Sequence, residues 1–344
     1  MAGPRRVSVI VPTCNRPRYL REALASIRAL EGDDLQFEII VGDNGSAPET
    51  RAIAEAAGAI YVAAHGGKGA SVARNAAMAA ATGAYMAFLD DDDVWLPTNV
   101  RSHIAHLEKF PQHEAVIGRV VSADHEMRPI GTPWPADAPK SADDLLRRML
   151  SGYFPQIGSV VARTRVRDAI GGFDERLTGG EDLDWLLRLA RRNQLGFTPA
   201  NSVLFRGRRR GSYDGLQLRR ASFDRQVFLR HALAARRVWR SPAEFFAGWY
   251  GTLRHFFVYF TDAAVSRAAR GDRWGALRAV GAAFAVFPLR AAAHLVRKKR
   301  LGMAFWASVF DARGRRRPRR PSPLLGSMIA VAERVGPFVV TFSL

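Results

Sequence analysis

The chain has 344 residues, 48% of them hydrophobic, enough for one large domain or a domain with an appendage and for a sizeable core. A single cysteine, Cys14, excludes an internal disulfide and fits a reducing compartment. The net charge of +19 is one-sided: residues 1–200 hold 23 Lys/Arg against 25 Asp/Glu, whereas residues 201–344 hold 28 against 7. That shift places a domain boundary near residue 211, with one domain over 1–211 and a basic region over 212–344. No leader peptide is expected, because the apolar run at 7–11 is short and Pro12 ends it.

Residues 7–11 are mostly β-branched and close in Pro12-Thr13, which reads as a first strand. Residues 18–30 carry Leu20, Ala23, Leu24, Ile27 and Leu30 at helical spacing. Residues 37–41 form a second strand, closed by the turn cluster Gly42-Asp43-Asn44-Gly45-Ser46. Helix is expected over 48–57, strand over 59–63 and an Ala-rich helix over 72–81. A fourth strand at 84–89 runs into four consecutive aspartates, Asp90 to Asp93, and helix resumes with Pro97 in its first turn. Further on, 115–121 and 202–205 read as strands, 129–140 as a Pro-rich loop and 182–192 as a helix. Strands alternating with helices imply an α/β fold with a doubly wound, mostly parallel sheet.

Ligands of open α/β sheets bind beyond the carboxyl ends of the strands, which is where the aspartates fall. Four adjacent carboxylates repel one another and raise each other's pKa. A divalent cation removes that cost, and an all-oxygen donor set suits Mg²⁺ or Mn²⁺ shared with substrate phosphates. The plainer alternative is a solvated acidic turn that caps the next helix. Asp43, at the same sheet edge, either accepts hydrogen bonds from a base or ribose or closes an Asx turn. Lys68-Gly69-Ala70-Ser71 leads into a helix bearing Arg74 and Asn75, and a helix N-terminus with a basic side chain attracts diphosphate oxygens.

As an ordered set these segments resemble glycosyltransferase family 2, inverting enzymes of the GT-A fold. The resemblance is carried by Val9 to Thr13 with Asn15 and Arg16, by Ile39 to Ser46, and by Gly69-Ala70-Ser71 with Ala73-Arg74-Asn75. It continues through Gly83, Phe88 to Asp93, Gly171 to Glu175 and Glu181-Asp182, with Trp185 and Arg188 trailing. It implies a nucleotide-diphospho-sugar transferase acting on a glycan or lipid-linked acceptor in cell-surface polysaccharide synthesis. It further implies that Pro12, Thr13, Asn15 and Arg16 line the nucleotide pocket, with Asp43 at the nucleobase and Lys68 and Arg74 near the diphosphate. Asp90 and Asp91 would face the nucleotide sugar, Asp90 and Asp92 the metal. Asp182 would be the catalytic base, with Glu181 and Trp185 on the acceptor side. Inversion needs such a base to take the acceptor's proton during in-line attack, and positive charge to meet the leaving diphosphate.

Two departures stand out. Family members often carry a histidine after a strand such as 202–205, whereas this stretch reads Arg206-Gly207-Arg208-Arg209-Arg210. A guanidinium stays protonated and cannot ligate a cation. Either water and phosphate complete the metal shell, or an arginine such as Arg208 clamps the diphosphate. Asn44 replaces the second aspartate of the family's Asp-Asp-Gly-Ser turn. His65, His103, His106, His113 and His125 show no ligand spacing and are expected as surface or helix residues.

The basic region is expected to be mainly helical. Its uninterrupted apolar run at 279–289 is far shorter than the ~20 residues that span a bilayer. Helices lying on an anionic membrane, held by Arg297 to Arg300 and Arg315 to Arg320, fit better than a solvated appendage or a nucleic-acid surface. That would place the protein in the cytoplasm, peripheral to the inner face of the plasma membrane. Two rival readings are a non-catalytic nucleotide-sugar-binding scaffold and a two-metal nucleic-acid enzyme. Retention of Asp90, Asp92 and Asp182 counts against the first, and the slightly acidic first 200 residues count against the second.

Overall fold

The computed structural model describes residues 4–67, 69–207, 214–297 and 299–310. Lys68, Lys298, Arg208 and the expected anchor at 315–320 lie outside them. Strands β1 (Arg5–Thr13), β2 (Leu35–Asp43), β3 (Ile60–Ala63) and β4 (Tyr85–Phe88) run parallel. Helices α1 (Pro17–Arg28), α2 (Glu49–Ala56) and α3 (Ala70–Ala79) make the crossovers between them. After β4 come β5 (Val94–Trp95), α4 (Arg101–Lys109), β6 (Ala115–Ala123), α5 (Ala142–Met149) and β7 (Val160–Arg163). Then follow α6 (Val166–Ile170), α7 (Glu181–Ala190) and β8 (Leu195–Arg206).

Among the described residues the strands form one eight-stranded sheet in the order β3-β2-β1-β4-β7-β6-β8-β5. The mostly parallel, doubly wound sheet expected from sequence is present. Antiparallel β7, between β4 and β6, and the short edge strand β5 are additions that the sequence pattern does not announce. Pro97 does not open a helix as expected: α4 begins only at Arg101, after a turn in which Val100 has φ 54°.

β1 is buried from Val7 through Thr13, as expected of a parallel strand covered on both faces. Register then fixes one functional edge. Thr13 pairs with Asp43 and Ile10 with Phe88, so the carboxyl ends of β1, β2 and β4 finish together. Gly42 permits a close approach: a Cβ there would lie 2.2 Å from the carbonyl oxygen of Ala73. Any side chain would push α3 off the sheet.

Toward the opposite end, Glu38 is buried and accepts hydrogen bonds from Ser8 Oγ, from Thr82 Oγ1 at 2.6 Å and from Arg6 Nη2 at 2.6 Å. Burial alone would raise its pKa, but the Ser8, Thr82 and Arg6 contacts outweigh it and hold the carboxyl at about 2 rather than 4.5. A depressed folded pKa contributes stability that is complete above the unfolded pKa and lost as pH falls through the folded one. Acid titration of the fold should therefore show a loss of stability between pH 4.5 and about 2 that Glu38→Gln removes.

Past β8 lie α8 (Asp214–Ala234), α9 (Pro242–Ala269), α10 (Arg273–Val286), α11 (Pro288–Val296) and α12 (Arg300–Phe310). The described residues within Met1–Arg208 and Gln226–Trp249 form one compact unit, and those within Arg209–Arg225 and Tyr250–Leu344 a second. In the second unit α10, α11 and α12 pack on one another. No described helix is long and apolar enough to cross a membrane.

Candidate active site

Leu89 still pairs with β1 through its N–H to the Ile10 carbonyl, and Asp93 N–H closes a turn on the Asp90 carbonyl at 3.1 Å. This turn splits the aspartates by role. Asp90, Asp92 and Asp93 each offer a carboxylate oxygen, all within 4.8 Å of one another. Asp91 points instead toward β1, accepting from Thr13 Oγ1 at 2.7 Å and from Arg16 Nη1 at 3.0 Å. Arg16 Nη1 also reaches Asp92 Oδ2 at 3.0 Å. Burial lifts the Asp91 carboxyl to about 6 despite Arg16 and Thr13. Three converging carboxylates with only oxygen donors fit a hard divalent cation. Asp93, not assigned to the metal from sequence, joins Asp90 and Asp92 because the turn folds it back.

Arg206, at the end of β8, holds this turn from behind. Its backbone N–H donates to Asp93 Oδ1 at 2.9 Å and its Nε to the Asp92 carbonyl at 2.8 Å. Nη1 donates to the His125 carbonyl at 2.8 Å, Nη2 to Glu22, and the guanidinium lies 4.8 Å over the Tyr19 ring. Arg206, the first residue of the stretch in which the resemblance expects a histidine, is therefore a buried brace with every nitrogen engaged. Arg206→Met should cost at least about 2 kcal/mol, since three hydrogen bonds from a charged group are lost, each worth ~1.5–3 kcal/mol, while a packed side chain remains. Chemical denaturation of the variant measures that cost.

Around the end of β2 the polar residues organise backbone. Asp43 is buried, with Oδ1 accepting from Gly45 N at 2.7 Å and Oδ2 from Tyr61 Oη at 3.1 Å. Asn15, in a left-handed conformation at φ 55°, accepts from Ser46 N and Ala47 N, each at 2.8 Å. Asn44 donates to the Ala64 and Gly67 carbonyls and accepts from Gly69 N. The residue that replaces the family's second aspartate thus ties the 64–69 loop to β2, which an acceptor-only carboxylate could not do. Pro12 and Thr13 are buried beside Asp43.

The segment expected on the acceptor side reaches the same place through Arg74, which is 3% exposed on α3. Its Nη2 donates to Asp90 Oδ1 at 2.7 Å and its Nη1 to Glu181 Oε1 at 2.9 Å. Burial would weaken its charge, yet Asp90, Glu181 and Asp182 push its pKa upward. The first turn of α7 therefore lies one guanidinium away from the aspartate turn. Asp182, half-buried in that first turn, accepts from Leu183 N at 2.8 Å. Two residues on, buried Asp184 accepts from His231 Nε2 and Arg230 Nη1, each at 2.9 Å, and pairs with Arg188 at 3.2 Å.

One sequence expectation needs correction. Trp185 is fully buried, stacked on Phe173 at 5.3 Å and edge-on to Phe88 at 5.5 Å, so it packs beneath the site instead of facing an acceptor. His103 lies in α4, as expected of a helix residue. It is fully buried between the Ser159 carbonyl and Ser202 Oγ, and burial lowers its pKa to about 3. Sequence reasoning missed Arg206, Glu22 and the Arg230–His231 pair as supports. Only Arg206 left a signal, its position directly after a strand.

The sheet order, the crossovers and the acidic turn at the strand ends define the GT-A fold. TarS of S. aureus, in a crystal structure with UDP-GlcNAc, shares this fold with a TM-score of 0.54 and 17% identity over 87% of this chain and 89% of that chain. Residues 8–163 match the model of glycosyl transferase family 2. A pre-mycofactocin glycosyltransferase of Mycobacterium tuberculosis is 32% identical over 200 residues, 55% of this chain and 40% of that protein. A glycosyltransferase of Bacillus subtilis named for teichuronic acid biosynthesis, TuaG, is 37% identical over 94 residues, 26% of this chain and 36% of that protein. The chain thus spans well under half of either relative.

Proposed function

We propose that the protein is an inverting glycosyltransferase that moves a sugar from a nucleoside-diphosphate sugar to a glycan or lipid-linked acceptor in cell-surface polysaccharide synthesis. The observation that carries this reading is the Arg74 bridge, which joins Asp90 at the end of β4 to Glu181 beside Asp182. It links carboxylates that this reading assigns to the donor and acceptor sides, from parts of the chain about ninety residues apart. Pro12, Thr13, Asn15, Arg16 and Asp43 form the nucleotide side and Asp90 faces the nucleotide sugar, while Asp91, expected beside it, is turned to β1 and holds Thr13 and Arg16. Asp182 takes the proton of the acceptor hydroxyl as that oxygen attacks the anomeric carbon and the bond to the diphosphate oxygen breaks. Asp90, Asp92 and Asp93 would hold a Mg²⁺ or Mn²⁺, which when bound supplies positive charge to the leaving diphosphate. The basic region 212–344 keeps the enzyme at the anionic inner face of the plasma membrane.

Thermal unfolding with UDP, GDP, dTDP or CMP, each with Mn²⁺, Mg²⁺ or EDTA, tests the site. One nucleoside diphosphate with metal should stabilise the fold by about 2.7 kcal/mol at a hundred times its Kd. Stabilisation that survives EDTA would remove the metal from the reading, and no response to any nucleotide would overturn it.

A further inference from the structure

The second unit leaves large apolar side chains in water. On α11, Leu289 is 88% exposed and Val296 83%. Seven residues apart, they share one helix face about 10 Å in length. Arg290 and Arg297 repeat the same seven-residue step one position on, and both are exposed, as is Lys299 just beyond. An apolar row and a basic row therefore run side by side along α11. On α12, Met303, Trp306 and Val309 recur every third residue and are each 37–43% exposed. Trp306 Nε1 donates to the Leu295 carbonyl at 3.4 Å, so this second apolar row starts against the end of α11. Isolated exposed apolar residues are ordinary, but a contiguous row flanked by charge marks an interaction surface.

Charge decides which partner fits. Residues 250–310 hold ten Lys/Arg and only two acids, Asp262 and Asp272. Asp262 pairs with Arg300 at 2.7 Å, and Asp272 caps α10 by accepting from Gly275 N. A second copy of so positive a surface would be repelled. An anionic bilayer instead receives apolar side chains below its headgroups and cations among its phosphates.

We propose that α11 and α12 form a monotopic membrane-seating surface, in which Leu289, Val296 and Trp306 enter the headgroup boundary of an anionic bilayer and Arg290, Arg297 and Lys299 pair with lipid phosphates. This rests on the reading of the basic region as membrane-bound and names the part of it that makes the contact. The test is cosedimentation of the full chain with phosphatidylcholine vesicles, with and without phosphatidylglycerol. The wild type should bind only the anionic vesicles. L289D/V296D and, separately, R297E/K299E should each weaken binding at least about tenfold. Their nucleotide-induced thermal shift should be unchanged. A wild type that ignores anionic vesicles would overturn the membrane reading as a whole. Variants that bind as well as the wild type would overturn this surface while leaving that reading intact. A concentration-dependent dimer that L289D/V296D makes monomeric would assign the surface to a second copy and likewise overturn the proposal.

Discussion

Asp182→Asn is expected to lower kcat by roughly 10³, within the range that a positioned general base contributes, while nucleoside-diphosphate binding stays close to wild type. The substitution keeps the shape and preserves an oxygen for Leu183 N, which Asp182 Oδ1 accepts at 2.8 Å. What it removes is the ability to take a proton. In the proposed reading donor binding rests on groups at the ends of β1, β2 and β4, which the substitution leaves in place. A single-turnover assay beside a nucleotide titration separates the two effects. A variant that retains substantial turnover would take Asp182 out of the mechanism.

Arg74→Met is expected to do damage of another kind. It leaves Asp90 and Glu181 without the guanidinium that neutralises both, in a place where Arg74 itself is 3% exposed. Breaking a buried ion pair by deleting one partner costs about 3–5 kcal/mol. The lower end is expected, because Asp90 is a quarter exposed and water can screen it. Mn²⁺ should recover part of the lost stability by compensating Asp90, so thermal unfolding of the variant should respond to metal more strongly than that of the wild type. An Arg74→Met protein as stable as the wild type would mean that the bridge is not what joins α7 to the aspartate turn.

The first half of the sheet was legible in the sequence because parallel strands buried on both faces leave continuous apolar runs, and turn clusters end them. The pattern of 7–11, 37–41 and 84–89 therefore sits within a few residues of β1, β2 and β4. Of the later elements, β6, α7 and the end of β8 were legible too, but β5 and β7 were not. β5 has two residues and β7 four, too short for any period to show, and each is a strand only through its neighbours. Pro97 misled because a proline after an acidic turn suits a helix start, whereas here the chain first spends residues 97–100 in a turn. At the site, Asp90, Asp92 and Asp182 announced themselves by neighbours in sequence. Arg206 and Asp184 act through partners up to 184 residues away, and no local pattern encodes such distances. Trp185 misled for the converse reason, since its place beside Glu181 says nothing of which way a helix turns its face.

The division of the chain between its two units carries a consequence for its birth on the ribosome. The chain leaves the first unit after residue 208, returns for Gln226–Trp249 and then leaves again. Synthesis runs from the N-terminus, and a unit cannot close before its last segment has emerged. The whole sheet is made by residue 206, yet Asp184 waits on Arg230 and His231 for its partners. Until those residues leave the tunnel, α7 carries a buried carboxylate without the two hydrogen-bond donors that reach it from Arg230 and His231. A nascent chain whose emerged part ends shortly after residue 211 should therefore be more open to proteolysis around α7 than one whose emerged part extends past residue 249.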